Sequence, residues 1–198
     1  MTAFLSGLAA FVRRIPKVVL FGVVFVVQVA LLAAMVIDRM QILRDGAEVT
    51  LQTRPVDPRD IFRGDYVVLG YDISEVPVGA LKPIKARSRA VYVKLAPNRE
   101  GFYEAISIHD DAVAVTSPEV LIRGRVPYDC VGNAGCSKLR VLYNLEKYFV
   151  PEGEGRKLEQ FRNQRKLTVV AAVLPSGRAA IKRLLVDGQS VYDEPWFR

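Results

Sequence analysis

Carboxylates are the side chains whose number and spacing come closest to doing chemistry in this chain. Paired carboxyl groups held several ångströms apart can run glycoside hydrolysis or other acid–base chemistry. Two places offer them: Asp110 beside Asp111, and the group Glu152, Glu154 and Glu159. Each also has a plainer use. Asp110 and Asp111 fall between strand-like runs, where acids build turns. Glu152 and Glu154 alternate with Gly153 and Gly155 ahead of a helical stretch, where acids complement the helix dipole. A calcium site drawn from Asp57, Asp60, Asp65 and Asp72 lacks the spacing of an EF-hand. His109, the single histidine, ends a strand-like run and reads as a solvated or turn residue. The chain has no phosphate loop, dinucleotide fingerprint or Ser-His-Asp set.

The two cysteines, Cys130 and Cys136, enclose a turn-rich Val-Gly-Asn-Ala-Gly stretch. In a domain outside the cytoplasm they are expected to form a disulfide. So short a loop is worth about 2–3 kcal/mol on the chain-entropy account, enough to pin a hairpin tip. Zinc is disfavoured because a structural site takes four N or S ligands. The C-x5-C spacing likewise differs from a redox pair, and no metal or cofactor is expected.

The elements that must position these residues are mainly strands. Residues 47–53, 66–73, 90–95, 103–108 and 120–126 are short, rich in Val, Ile and Tyr, and separated by Gly, Pro, Asn or Asp. Alternation is clean where Val120, Ile122, Gly124 and Val126 oppose Arg123 and Arg125, so one face is buried and the other wet. Further on come strands at 140–142 and 148–150, a helix at 155–165, and a hairpin of 168–174 and 179–186 around Pro175-Ser176-Gly177. Residues 169–174 are apolar on both faces and predict a central strand. Pro195-Trp196-Phe197 is expected to pack back on the sheet.

At the other end, residues 18–37 run without a charge, and Gln28 is their one strongly polar side chain. A helix of that length spans roughly 30 Å, the thickness of a bilayer's hydrocarbon core. The run is too long for a secretory signal and ends without a small-x-small cleavage site, which favours an uncleaved anchor. Arg13, Arg14 and Lys17 precede it with no acid, so the positive-inside rule keeps the N-terminus in the cytoplasm. The organisation predicted is a cytoplasmic segment 1–17, a transmembrane anchor 18–37, an exported β-rich domain 45–192 and a tail 193–198. Gln28 is a candidate for hydrogen bonding to a partner helix. Of 198 residues 28 are basic and 21 acidic; without Arg13, Arg14 and Lys17 the exported part has 25 against 21. Charges so balanced and interspersed exclude a nucleic-acid surface.

The segment from Asp57 to Ser74 is the most informative. Asp57 can cap a short helical turn with Pro58 first inside it, Asp60 near its positive end, and Gly64 as its stop. The strand that follows puts Val67, Leu69, Tyr71 and Ile73 on one face, with Tyr66 turned the opposite way toward any pocket or contact. Gly64-Asp65-Tyr66-Val67-Val68-Leu69-Gly70-Tyr71 is similar to the signature of the GDYXXLXY family. Asp57-Pro58-Arg59-Asp60, Val91 to Leu95, Tyr148 to Gly153 with Glu159, and the Gly177 to Gly188 ending resemble that family in the same order. The resemblance spans about residues 45–192. It implies a bacterial inner-membrane protein with an N-terminal anchor and a periplasmic β domain, a polytopic membrane protein as partner, and no assigned catalytic residue.

A looser similarity links the Gly-Asp strand and the later Tyr-Val-Lys strand to membrane-anchored signal peptidases. It implies a related β architecture and would place Lys94 at the general-base strand. The Ser nucleophile segment of those enzymes is missing; Thr50 and Thr53 are the only Ser or Thr hydroxyls between Ile37 and Ser74. The fold expected is therefore a transmembrane helix plus a mainly-β extracytoplasmic domain with one short helix. Its expected work is interaction with a membrane partner, against the alternatives of a Ser/Lys-type hydrolase and a small-ligand-binding domain.

Overall fold

A computed structural model describes residues 16–56, 66–77, 90–127 and 138–193. They fall into two units that meet between Met40 and Gln41. The first is dominated by helix α1, Lys17–Asp45, whose side chains through Ala34 are all exposed. Among the described residues this is the one helix long and apolar enough to cross a membrane. Pro16 stands just outside it, and its carbonyl accepts from the Val19 and Leu20 amides at 2.9 and 3.2 Å. Proline suits this position because the first helical amides have no partner inside the helix. The helix does not stop at Ile37, where the uncharged run ends. It continues through Asp38 and Arg39 to a last turn in which Ile42 and Leu43 are buried.

The second unit is mainly β. Its largest sheet has the order β12-β11-β10-β1-β3, made of Gln189–Asp193, Ala179–Val186, Leu167–Val173, Ala47–Arg54 and Gly70–Tyr71. A three-stranded sheet, β6-β5-β7, joins Tyr103–His109, Ala90–Pro97 and Val120–Arg125. Two antiparallel ribbons complete it: β2 (Tyr66–Val68) with β9 (Lys147–Phe149), and β4 (Glu75–Pro77) with β8 (Lys138–Arg140). The short helix α2 is Gly155–Asn163. One cluster of buried side chains runs through both sheets, both ribbons and α2.

The central strand is where the apolar pattern placed it, and all seven residues of β10 are buried. Val169, Ala171 and Val173 face the main core, while Ala172 packs with Ile42, Leu43 and Ala180. The last turn of α1 thus belongs to the β domain. It covers the second face of a strand that has no polar side to show water.

Several expected boundaries differ. Residues 66–73 were expected as one strand, yet the segment breaks at Leu69 and ends in a 3-10 turn, Asp72–Ser74. The cause is a change of partner: Tyr66–Val68 pairs with β9, and Gly70–Tyr71 pairs with Arg54 and Thr53 of β1. The expected 140–142 strand lies two residues earlier, and 148–150 one residue earlier. The α2 helix ends at Asn163, short of 165, because Arg165 takes φ 59°. Strand β12 was not anticipated; it follows a two-residue turn in which Asp187 and Gly188 have φ of 50° and 81°.

Candidate functional site

The segment with the family-like signature is built into the domain by an almost continuous antiparallel seam. Tyr66, Val67 and Val68 pair with Phe149, Tyr148 and Lys147. The Leu69 amide then donates to the Glu146 carbonyl at 2.8 Å, and the Tyr71 hydroxyl donates to the Leu145 carbonyl at 2.6 Å. Tyr143 reciprocates, its hydroxyl donating to the Ile73 carbonyl at 2.7 Å; the Val141 amide donates to the Ser74 carbonyl at 2.9 Å. The seam ends in the β4–β8 ribbon. Two buried phenols thereby satisfy main-chain carbonyls that a plain ladder would leave open. Burial, with Glu146 adding to it, pushes the Tyr71 and Tyr143 hydroxyls well above the usual phenol range, so both remain donors.

The faces divide as alternation predicts. Val67, Leu69, Tyr71 and Ile73 are almost fully buried. Gly70 comes against the preceding strand: a Cβ there would lie 2.3 Å from the Val56 side chain and 3.1 Å from that of Arg54. On the opposite face Tyr66 is half-buried, with its ring centroid 6.0 Å from that of Phe149. Lys147 Nζ stands 5.4 Å from the Tyr66 centroid, within cation–π range. Phe149 is 76% exposed.

Val56 and Val68, on either side of residues 57–65, are held by a residue that sequence reasoning missed. Arg162, on α2, is fully buried, and its two terminal nitrogens donate to the Val68 carbonyl at 2.5 Å and the Val56 carbonyl at 3.0 Å. Asn163 Oδ1 takes two further bonds from it, and Glu159 Oε1 lies 4.0 Å away. Burial pulls this guanidinium below its ordinary value, with Glu159 pulling it back up. The signal was present in the sequence: Arg162 stands four residues after Leu158, on a stripe that called for an apolar side chain.

Asp57, Asp60, Gly64, Asp65, Cys130 and Cys136 lie outside the described residues, as does the Pro195-Trp196-Phe197 tail. The other candidates are not gathered into one site. Glu152 is exposed in the turn before α2, whereas Glu154 pairs with Lys157 at 3.0 Å and accepts from the Tyr192 hydroxyl at 3.3 Å. Glu159 faces Arg162. Asp110 and Asp111 sit in the bend after β6, and His109 Nε2 is 2.9 Å from Ser107 Oγ. Asp72 is exposed at the start of the 3-10 turn. Among the described residues no group of three or more His, Cys, Asp or Glu is placed to hold a metal ion. Lys94 Nζ is 2.6 Å from Glu119 Oε2, and the Thr53 hydroxyl donates to the Leu167 carbonyl at 2.5 Å. Thr50 is half-buried on β1, and Gln28 is exposed on α1.

The seam gives the signature its physical content: an apolar position, a buried tyrosine and an outward tyrosine at fixed spacing. A family model described as GDYXXLXY protein matches residues 28–184. The chain belongs to this family. Comparison with curated proteins and with solved structures gave no match. The match covers the helix from Gln28 onward and nearly all of the β domain, so the GDYXXLXY unit includes the C-terminal turn of α1 packed on β10.

Proposed function

We propose that α1 is a single-pass inner-membrane anchor with its N-terminus in the cytoplasm. On this reading the GDYXXLXY domain stands in the periplasm and works by contact with a polytopic membrane protein. The observation that carries the reading is the outward face of the signature ribbon. Phe149 is the most exposed large apolar side chain described in the β domain, and it stands directly opposite Tyr66, with Lys147 beside them. Aromatic side chains flanked by a cation are typical anchors of protein interfaces, whereas a strand face meant only for water carries polar residues. Gln28, exposed in the apolar stretch of α1, supplies a polar group for a partner helix.

The alternative of a Ser/Lys-type hydrolase loses support at Lys94. A general-base lysine has to reach a hydroxyl nucleophile, and Lys94 reaches a carboxylate instead. The deciding test is purification of the full-length protein from its own membranes in mild detergent, in parallel with Phe149→Ser and Gln28→Leu. One stoichiometric polytopic companion, lost in Phe149→Ser while the domain still melts as the parent does, supports the reading. Purification alone, or a companion retained in both variants, overturns it. Reporter fusions at the two ends of the chain test the orientation separately.

A further inference from the structure

A cleft of about 610 Å³ opens beside the turn between β10 and β11, and its walls are mainly aliphatic: Val113, Val115, Val120, Leu121, Leu174 and Pro175. Two other clefts of the domain differ in kind. One is lined by Arg123, Arg125 and Arg178, the other by Asp72, Glu75, Glu100 and Glu104 with Arg165. The aliphatic cleft holds two carboxylates, Asp45 and Glu119, and both are engaged, by Arg44 at 2.8 Å and by Lys94 at 2.6 Å. Tyr103, also in the lining, donates its hydroxyl to the Pro118 carbonyl at 3.3 Å. One wall draws on residues 112–118, Ala-Val-Ala-Val-Thr-Ser-Pro, which carry no charge and are exposed apart from the half-buried Val113.

The cleft lies at the end of the main sheet where the chain arrives from α1. Ala47 and Val173 are the first rung between β1 and β10, so Leu174 and Pro175 project past the start of β1. The Gly46 amide donates to the Ile42 carbonyl at 3.0 Å, and a Cβ at Gly46 would lie 2.8 Å from the Val173 nitrogen. The last turn of α1 is therefore seated against β10. Asp45, which ends α1 and lines the cleft, stands eight residues beyond Ile37, the end of the apolar run. Eight helical residues rise about 12 Å, and the polar layer of a bilayer is itself roughly 5–8 Å deep.

We infer that this cleft takes a hydrocarbon chain of a bilayer lipid where the domain meets the membrane, an inference that rests on the reading of α1 as an anchor. An open aliphatic surface on a water-facing domain marks a membrane or ligand contact, because apolar area left wet costs free energy. The composition selects lipid over protein. Protein interfaces are anchored by Trp, Tyr and Arg, with Leu and Val under-represented, whereas a chain of methylenes asks only for aliphatic walls. The Phe149 face, aromatic and flanked by Lys147, has the opposite character. The volume also falls in the range of small-ligand sites, which are lined mainly by apolar side chains.

The test places the full-length protein in nanodiscs of phosphatidylcholine doped with the same lipid carrying a diazirine at the end of one acyl chain. After illumination, proteolysis and mass spectrometry locate the attached lipid. Label within 18–37 reads the anchor, and label within 113–121 or 173–175 reads the cleft; both are expected. Label in the span with none at the cleft overturns the inference and leaves the anchor standing. No label in the span overturns the anchor reading and the inference with it. Ile106 and Val191 are more exposed than Val115, so label that merely follows exposure would collect there, and that outcome also overturns the inference. Val115→Asp, and Pro175→Asp from the other segment of the lining, should each lower the cleft label by about tenfold or more with the span label unchanged, because a carboxylate in the wall expels hydrocarbon. Cleft label that survives both variants removes the cleft as its cause and overturns the inference.

Discussion

The two faces of the signature strand are made of similar residues and meet opposite fates. On the inner face Leu69 and Tyr71 are sunk in the core, and the Tyr71 hydroxyl serves the Leu145 carbonyl. On the outer face Tyr66 lies against a 76% exposed phenylalanine and under a lysine. One short string thus holds two kinds of residue. The inner set is tied to stability, and substitutions there act on the whole fold. On the proposal above the outer set serves recognition, and substitutions there should leave the fold alone.

The residue that holds the inner side in place gives the largest expected effect. Arg162→Met keeps the length and packing of the side chain but removes both donors to the Val56 and Val68 carbonyls. Two half-buried carbonyls losing charge-assisted bonds should cost about 2–4 kcal/mol. Urea unfolding of the full-length protein in detergent, followed by circular dichroism, measures it. A loss within experimental error would mean that Arg162 does not hold Val56 and Val68 in place. Tyr71→Phe comes next. It leaves the ring in place and orphans the Leu145 carbonyl, for an expected loss of about 1–2 kcal/mol by the same measurement.

Much of this frame was legible in the sequence, and the failures have physical causes. The alternation Val67, Leu69, Tyr71, Ile73 fixed which face is buried, because a half-buried strand has no other way to arrange its side chains. The all-apolar run at 169–174 marked the middle of a sheet for the same reason. What the pattern missed is long-range. Nothing local says that the strand changes partner after Leu69, since that depends on β1, which precedes it in sequence, and β9, which follows far downstream. The Asp187-Gly188 turn was a readable hairpin signal. It was obscured because β12 is mostly exposed and shows no apolar alternation. Arg162 interrupts the apolar stripe of α2, but its burial depends on backbone carbonyls converging on it, and convergence is a property of the fold. Arg123 and Arg125 were legible as a wet face, and both are exposed on β7.

Between the two faces in expected effect stands the ion pair cluster at the far end of the seam. Glu75 takes Arg54 at 2.5 Å and Lys138 at 3.3 Å, and the Arg54 bond first, then Lys138, holds its carboxyl down at about 2 against an ordinary 4.5. A group depressed in the folded state stabilises it at pH values above the unfolded pKa, and that contribution is lost as pH falls through the folded one. Stability should therefore be flat above about pH 5 on this account and decline between about 4.5 and 2, by roughly 1–2 kcal/mol after allowance for solvent screening. Glu75→Gln should remove this part of the slope while leaving the rest of the acid transition in place. An unchanged slope would show that the seam is closed by its backbone bonds alone.

The smallest expected effect on stability belongs to the outer face, and it separates the two roles most sharply. Phe149→Ser removes an apolar ring that the fold scarcely covers, so unfolding should shift by no more than about 0.5 kcal/mol. The neighbouring ladder pair Tyr66↔Phe149 is made by main-chain groups, which serine keeps. Co-purification is the sensitive readout, since an interface anchor loses more on truncation than a solvated side chain does. Stability retained with the membrane companion lost would assign the outer face to recognition. A loss of stability comparable to that of Tyr71→Phe would erase the distinction and make Phe149 a part of the fold, leaving the partner to be met elsewhere on the domain.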